Sequence, residues 1–141
     1  MPMQLDCYLN FDGNCEEALT FYAKCLGGKL TTVYRYAEAP ADSGMPELPA
    51  GWKNKIMHAN LEADGAQIMG SDVPPSMGGG GKFAGFSVSA WIKQDVEHAR
   101  KVFDALADGG KVTAPFDKPF WGGHFGMLVD KFGVPWMVSC E

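Results

Sequence analysis

A short pattern occurs twice in this chain of 141 residues. Residues 27–31 read GGKLT, and residues 109–113, which lie 82 positions further on, read GGKVT. Each glycine pair ends a helix-like pattern, because glycine readily takes the left-handed conformation that follows a last helical turn. The recurrence predicts one structural unit used twice, and no other feature constrains the fold as strongly.

The sequence around the first copy predicts a β-α-β-β-β unit. Residues 5–11 alternate in apolar character, which is typical of a strand with one face on a core. Asn14 stands where a capping residue would begin the helix that the glycines end. A strand follows from Lys29, and the dipeptide at 64–65, Asp-Gly, predicts a two-residue turn between two further strands.

The sequence around the second copy repeats this order. Residues 86–92 alternate, Asp95 is placed to cap a helix, and residues 131–133 (KFG) connect the last two strands. The offset between the final strands is only 68, so the first half is longer by 14 residues (82 minus 68). The extra residues fall in segment 37–52, which is rich in proline and predicts a long loop, either a lid or an interface arm.

These patterns predict one domain over residues 1–141. Within it we expect a first module at 4–72 and a second module at 86–141. The Gly/Pro-rich segment 73–85 is expected to be the linker between them.

Charge and composition argue against several classes of partner. A net charge of −5 and a pI near 5.1 disfavour nucleic acids and anionic membranes, since both repel a negative field. No apolar run approaches the roughly 18 residues of a membrane span, and no signal peptide is visible at the N-terminus. The four cysteines lack metal-knuckle spacing. They predict reduced thiols and a cytoplasmic location.

Three phrases carry a resemblance to a known family: YLNFDGNCEEALTFY, KIMHANLEADGAQIMGSD and FWGGHFGMLVDKFGVPWMVS. They resemble the PhnB-like branch of the vicinal oxygen chelate superfamily, which includes glyoxalase I, bleomycin-resistance proteins and extradiol dioxygenases. The resemblance implies an α+β fold in which two tandem βαβββ modules form a U-shaped half-barrel cavity. It also implies a homodimer. The methyltransferase label often attached to this branch gains no support here, because no glycine-rich strand-to-helix turn is present to hold an adenosyl cofactor.

Strand parity predicts which side chains would line such a cavity. In the first and last strand of each module the apolar residues are expected to face the helix, so the alternate residues face away from it. The Asp-Gly turn adds His58, Asn60 and Glu62 to the same face. Applying the offset of 68 to the strand before the second hairpin adds His124 and Leu128. The predicted ligand-binding residues are Asp6, Tyr8, Asn10, Asn60, Gln67, Met69, Ser71, Ser87, Ser89, Trp91, His124 and Met137.

The resemblance also implies four metal-ligand positions, which fall on Asp6, Met69, Ser87 and Met137. Divalent cations in such sites prefer histidine nitrogens and carboxylate oxygens. One carboxylate, one hydroxyl and two thioethers do not meet that preference. We therefore expect that the metal site has been lost and that no cofactor is bound, with a divalent metal as the alternative.

His58 is the candidate catalytic residue, acting as a general base that Glu62 or Asp6 would orient. The alternative is a sheet histidine whose hydrogen bonds are satisfied by Ser71 or Tyr8. For His124 the alternative is an exposed turn histidine.

The residues favour a protein that binds a small polar or aromatic molecule, and two other functions stay open. One is a lyase-, isomerase- or dioxygenase-type enzyme, either metal-dependent through His58, Glu62 and His124 or metal-free through His58. The other is a drug-sequestering resistance protein.

Overall fold

The computed structural model describes residues 2–40, 44 and 47–141. The chain divides into two compact units, one ending at Gly81 and the other beginning at Lys82. The division falls within the segment 73–85, which contains a short 3-10 helix at Pro75–Met77.

The first module is a four-stranded sheet with one helix. Its elements are β1 (Cys7–Phe11), α1 (Cys15–Leu26), β2 (Lys29–Arg35), β3 (Ile56–Ala63) and β4 (Ala66–Asp72). Strand β1 pairs in parallel with β4, and the other neighbours are antiparallel, in the order β1-β4-β3-β2.

The second module contains β5 (Val88–Ile92), α2 (Val96–Ala107), β6 (Lys111–Asp117), β7 (His124–Val129) and β8 (Pro135–Cys140). It repeats the topology of the first module in the order β5-β8-β7-β6, again with one parallel pair. The α+β fold with two tandem βαβββ modules is therefore confirmed.

Each module buries an apolar stripe of its helix against one face of its sheet. In α1 the residues Ala18, Leu19 and Tyr22 are fully buried, at the helical spacing that places them on one side. In α2 the residues Ala99, Val102, Phe103 and Leu106 are buried in the same way. The opposite face of each sheet is then available for other contacts, which is what positions the candidate site.

The two glycines of each repeated pair have different structural roles. Gly27 ends α1 in the left-handed conformation (φ 70°), and Gly109 has a φ of 76° at the matching place. The second glycine lies against a strand: a Cβ on Gly28 would lie 2.3 Å from the carbonyl oxygen of Glu62, and one on Gly110 would lie 2.3 Å from that of Val129. The pair thus lets the chain leave the helix and pass close to β3 or β7.

Both modules begin later than the alternation predicts. Leu5 is 89% exposed and lies outside β1, and Phe86 is 41% exposed and lies outside β5. Asp6 and Ser87 therefore precede their strands. Within the strands the parity holds, because Leu9, Phe11 and Val88 are buried whereas Tyr8 and Trp91 are exposed.

The two helices are capped differently. As predicted, Asp95 caps α2, since its carboxylate accepts from the backbone N–H of His98 at 3.0 Å. Asn14 occupies the same place before α1, but its side chain makes no capping hydrogen bond. The carboxylate of Asp72, at the end of β4, accepts from the N–H of Cys15 instead.

The two hairpins differ by one residue in their turns. Asp64 and Gly65 form the predicted two-residue turn, in which both residues have a positive φ. Residues 131–133 form a three-residue turn: Asp130 N–H donates to the carbonyl of Val134, and Gly133 has a φ of 88°. A difference of one residue moves every side chain of the preceding strand to the other face of the sheet.

The predicted loop at 37–52 is anchored at its base. Backbone N–H groups of Tyr36 and Ala37 donate to the carbonyls of Lys55 and Lys53, and the Trp52 ring meets the Tyr36 ring edge-on at 6.3 Å. Residues 41–43, 45 and 46 of this loop lie outside the described residues.

Candidate functional site

We call the sheet face of the first module opposite α1 the first open face. Cross-strand pairing brings its side chains into two neighbouring rows. One row contains Tyr8, Met69, Asn60 and Thr32, and the next contains Asn10, Ser71, His58 and Tyr34. Nearly all of these side chains are polar or aromatic, and strand parity predicts all of them except Thr32 and Tyr34.

Tyr8 connects two of the predicted residues. Its hydroxyl lies 3.1 Å from Nδ1 of His58 and is hydrogen-bonded to Oγ of Ser71. Ser71 Oγ in turn donates to the backbone carbonyl of Met57 at 2.9 Å. The Tyr8 and His58 rings stack at 5.7 Å between centroids, with 25° between their planes. We call Tyr8, His58 and Ser71 the hydroxyl–imidazole cluster.

Tyr34 belongs beside this cluster and was missed by the sequence analysis. It pairs directly with His58 across β2 and β3 and is 49% exposed. An irregularity in the pairing between Leu30 and Thr32 shifts the alternation of β2, so simple parity does not place Tyr34 on this face. His58 therefore lies between two partly exposed tyrosines.

The carboxylates expected to orient His58 have other partners. Asp6 Oδ1 accepts from Gln4 at 2.7 Å, and Asp6 Oδ2 accepts from Gln67 at 2.6 Å. Glu62 is exposed and lies opposite Lys29 and Gln67 in the strand register. Tyr8, rather than Glu62 or Asp6, is thus the partner of His58 Nδ1, as the alternative interpretation of a tyrosine-bonded sheet histidine anticipates.

The donors at the implied metal positions do not fit a divalent cation. Met69 lies opposite Tyr8 rather than beside Asp6, whose two oxygens already accept from amides. In the second module Met137 lies opposite Ser89, and Ser87 precedes the strand. Within residues 2–40, 44 and 47–141, no group of three or more His, Cys, Asp or Glu side chains could hold a metal ion.

The second module has a corresponding open face, opposite α2, with a different chemistry. Its rows contain Ser89, Met137 and Met127, then Trp91, Ser139 and Phe125. Trp121 packs edge-on against Phe125 at 5.8 Å, and Phe120 packs edge-on against Trp121 at 5.0 Å. This face is mainly apolar and aromatic.

The predicted placement of His124 and Leu128 on this face was wrong. His124 pairs with the buried Cys140 and stacks on the buried Phe116 at 5.8 Å, and Leu128 is 1% exposed. A Cβ on Gly126 would lie 2.7 Å from the Phe103 ring of α2, so β7 turns these residues toward its helix. The three-residue turn is the reason, because the offset of 68 holds for β8 but not for β7.

A polar recess of about 380 Å³ lies at the start of α1. Its cations are already paired: Arg35 forms a 2.6 Å ion pair with Glu16, and Lys55 Nζ donates to the carbonyl of Gly13 at 2.8 Å. The buried carboxylate of Asp72 accepts from the N–H groups there. The ion pair and hydrogen bonds around the recess therefore connect α1 with its sheet.

Charge and burial shift several pKa values around this connection. Burial, with a further contribution from the Asp72 charge, raises the pKa of the Cys15 thiol far above its ordinary range and also raises the pKa of Tyr36. The hydrogen bond from Arg35 lowers the pKa of Glu16. Burial alone raises the pKa of Cys7.

The fold and its paired modules define a class of protein. The family model of the glyoxalase/bleomycin resistance protein/dioxygenase superfamily matches residues 4–138, and the chain belongs to this superfamily. The resemblance seen in the sequence is thereby confirmed. In the part of the chain that the structure describes, no helix is long and apolar enough to cross a membrane.

Three individual proteins are similar to this chain over nearly its whole length. The chain is 37% identical to Protein YjdN of Escherichia coli (strain K12) over 142 residues, which is 97% of this chain and 95% of YjdN. The crystal structure of protein PA1353 from Pseudomonas aeruginosa has a TM-score of 0.85 and 39% identity, covering 99% of this chain and 98% of that one. The putative 3-demethylubiquinone-9 3-methyltransferase, PhnB protein, from Bacillus cereus has a TM-score of 0.76 at 24% identity, covering 99% and 100%. This last likeness concerns the fold alone.

Proposed function

We propose that this chain binds a small polar or aromatic molecule on the first open face, with His58, Tyr8 and Asn60 as contacts and without a metal ion. The hydroxyl–imidazole cluster is the observation that carries the proposal. If this sheet face were covered by apolar packing alone, its hydroxyl and imidazole groups would be costly to bury, because polar groups without partners are penalised in a dry interior. Here they are connected, and Tyr8 remains 44% exposed.

The surroundings of His58 support a ring-bearing ligand. Tyr8 and Tyr34 flank the imidazole, and both present partly exposed aromatic surface. Aromatic side chains contribute large contact areas at low conformational cost, and their rings favour offset or edge-on packing with another ring. Small-molecule sites commonly combine such surfaces with a few fixed polar atoms.

The metal-free part of the proposal rests on the donor set. A divalent cation needs several well-placed nitrogen or carboxylate donors. His58 and Glu62 lie on the same strand four residues apart, which corresponds to about 13 Å at a rise of about 3.3 Å per residue. His124 faces the helix of its own module. The alternative set of these three residues therefore gains no support.

A ligand screen with matched variants tests the binding proposal. We expect fragments that raise the melting temperature to shift the NMR signals of His58 and Tyr8, and we expect His58→Ala to abolish the response. His98→Ala is the control, because His98 is an exposed histidine on α2. Fragments that bind His58→Ala as well as the parent protein would contradict the proposal. So would stoichiometric metal that is present after purification without chelator and lost in His58→Ala.

The second candidate function is an enzymatic role for His58, which is hydrogen-bonded through only one of its two ring nitrogens among the described residues. Tyr8 is bonded to Nδ1, and among the described residues no hydrogen bond is made to Nε2, so Nε2 is available for proton transfer. If ligands found in the screen are converted to products, conversion should disappear in His58→Gln and persist in His98→Ala. The drug-sequestering alternative stays a prediction.

We also propose a cytoplasmic homodimer. The resemblance supports the dimer, and the thiols of Cys7, Cys15 and Cys140 fit a reducing compartment. Light scattering after size exclusion should give twice the chain mass of 15.2 kDa. A mass of one chain at micromolar concentration would contradict the dimer.

A further inference from the structure

The hydrogen bonds of the hydroxyl–imidazole cluster have only one consistent direction. The carbonyl of Met57 can only accept, so the single hydroxyl proton of Ser71 is committed to it. Ser71 must then accept from Tyr8, which commits the single proton of the Tyr8 hydroxyl. Tyr8 has no further proton to offer His58.

The last bond of the chain must therefore be donated by His58. Its Nδ1 lies 3.1 Å from the Tyr8 oxygen, and with the Tyr8 proton directed at Ser71 only an N–H on Nδ1 completes the bond. A neutral imidazole carries one N–H, and a proton on Nδ1 leaves Nε2 as an acceptor. Ser71 is 6% exposed, so the far end of the chain is shielded from water that could compete for these bonds.

We infer that Tyr8 and Ser71 are positioning residues that fix His58 as an acceptor at Nε2. The ligand of the first open face is then a hydrogen-bond donor, with an N–H or O–H group aimed at Nε2. This inference rests on the proposed function for the existence of a ligand. The tautomer of His58 does not depend on any ligand, so the two can fail separately.

The inference also sets what a proton taken up at Nε2 can do. The chain from Nδ1 ends on the Met57 carbonyl oxygen, which has no proton to pass on and no charge to neutralise. A proton that reaches Nε2 leaves by Nε2, either to the ligand or to solvent at the same face. Such a base suits the removal and return of a proton on one side of a ligand.

NMR of the full chain with ¹⁵N-labelled histidine tests the tautomer directly. At a pH of about 8, where histidine is mainly neutral, the parent protein should show His58 with a protonated Nδ1 and an unprotonated Nε2. The His58 signal is assigned by its loss in His58→Gln. A proton mainly on Nε2 in the parent protein would overturn the inference, whatever the ligand screen gives.

Ser71→Ala is the sharpest variant, because Ser71 makes no bond to His58. Without its acceptor, the Tyr8 hydroxyl is free to donate to Nδ1, and the His58 proton should move to Nε2. Tyr8→Phe removes the partner of Nδ1, so His58 should show the mixture of tautomers of a free histidine. Tyr34→Phe is the control on the same face and should leave the tautomer unchanged. A Ser71→Ala protein that keeps native ¹H–¹⁵N dispersion and still has its proton on Nδ1 would overturn the inference.

A pair of probes tests the ligand class. Phenol carries an O–H donor, and anisole has the same ring without it. Phenol should shift the Nε2 resonance of the parent protein and bind about three- to tenfold more tightly than anisole, the range expected for one net hydrogen bond. Ser71→Ala should remove this preference. Equal binding of the two probes by the parent protein would overturn the donor assignment.

Discussion

The buried carboxylate of Asp72 offers the strongest test of how the first module is held together. Asp72 is 1% exposed and lies at the end of β4. Its Oδ1 accepts from the N–H groups of Gly13 (3.0 Å) and Cys15 (2.8 Å), and its Oδ2 accepts from that of Ile56 (2.9 Å). One side chain thus connects the start of α1 with the start of β3.

The substitution Asp72→Asn changes one acceptor atom and almost no volume. With its oxygen kept toward Gly13 and Cys15, the amide nitrogen faces the N–H of Ile56, which loses its acceptor. A hydrogen bond to a charged group contributes about 1.5–3 kcal/mol, and an unsatisfied buried donor costs about 1–3 kcal/mol. Removing a buried charge offsets part of this loss. We expect a net destabilisation of about 2–3 kcal/mol.

Urea unfolding followed by circular dichroism measures this loss. In a chain of this size it corresponds to a fall in melting temperature of about 6–12 °C. Asp12→Asn is the matched control, because Asp12 is exposed in the same turn, and it should change the free energy of unfolding by less than about 0.5 kcal/mol. If Asp72→Asn costs no more than this control, the carboxylate does not hold the module as we describe.

Three further predictions concern packing, pH and an unpartnered polar atom. Gly28→Ala should cost about 1–3 kcal/mol in urea unfolding because its Cβ would meet a strand carbonyl, whereas Gly81→Ala, with open space around it, should be close to neutral; equal effects would refute the close approach. Burial raises the pKa of Cys15 above its ordinary 9.0, so the neutral thiol contributes fully to the free energy of unfolding below pH about 9, and this contribution is lost as pH rises further. Cys15→Ala should therefore flatten the fall in melting temperature between pH about 9 and about 10. A slope equal to that of the parent protein would contradict a role for the Cys15 thiol in this fall. Asn60 Oδ1 is buried without a donor among the described residues, whereas Asn60 Nδ2 donates to Thr31 Oγ1 at 3.0 Å in an exposed hydrogen bond. Asn60→Met, which copies the residue at this position in the second module, removes both the unpaired acceptor and this bond, so the free energy of unfolding should stay within about 1 kcal/mol of the parent value. A much larger loss would show that the unpaired oxygen carries no such cost.

The fold could be predicted because several local signals agree with one another. Asp95 caps its helix as expected, Gly27 ends its helix in the left-handed conformation, and the Asp-Gly turn at 64–65 forms. Each signal depends only on neighbours in the sequence. The cap of α1 could not be predicted, since Asp72 comes from 57 residues away and acts only after β4 has paired.

The candidate site was predictable in one module and not in the other. Parity and a two-residue turn placed Tyr8, His58 and Ser71 on one face, where the structure brings them into contact. In the second module one additional turn residue reverses β7, so Phe125 and Met127 take the face expected for His124. Turn length and strand bulges are properties of the paired backbone, and alternation along a single strand does not contain them.

The far end of the hydroxyl–imidazole cluster has a consequence for how such a site can diverge in evolution. It ends on the backbone oxygen of Met57, an atom that every amino acid at that position would supply. The choice of which imidazole nitrogen of His58 carries the proton therefore depends on only two side chains, Tyr8 and Ser71. A single change at the buried Ser71, which leaves the residue facing the ligand untouched, would convert a lineage that selects hydrogen-bond donors into one that selects acceptors.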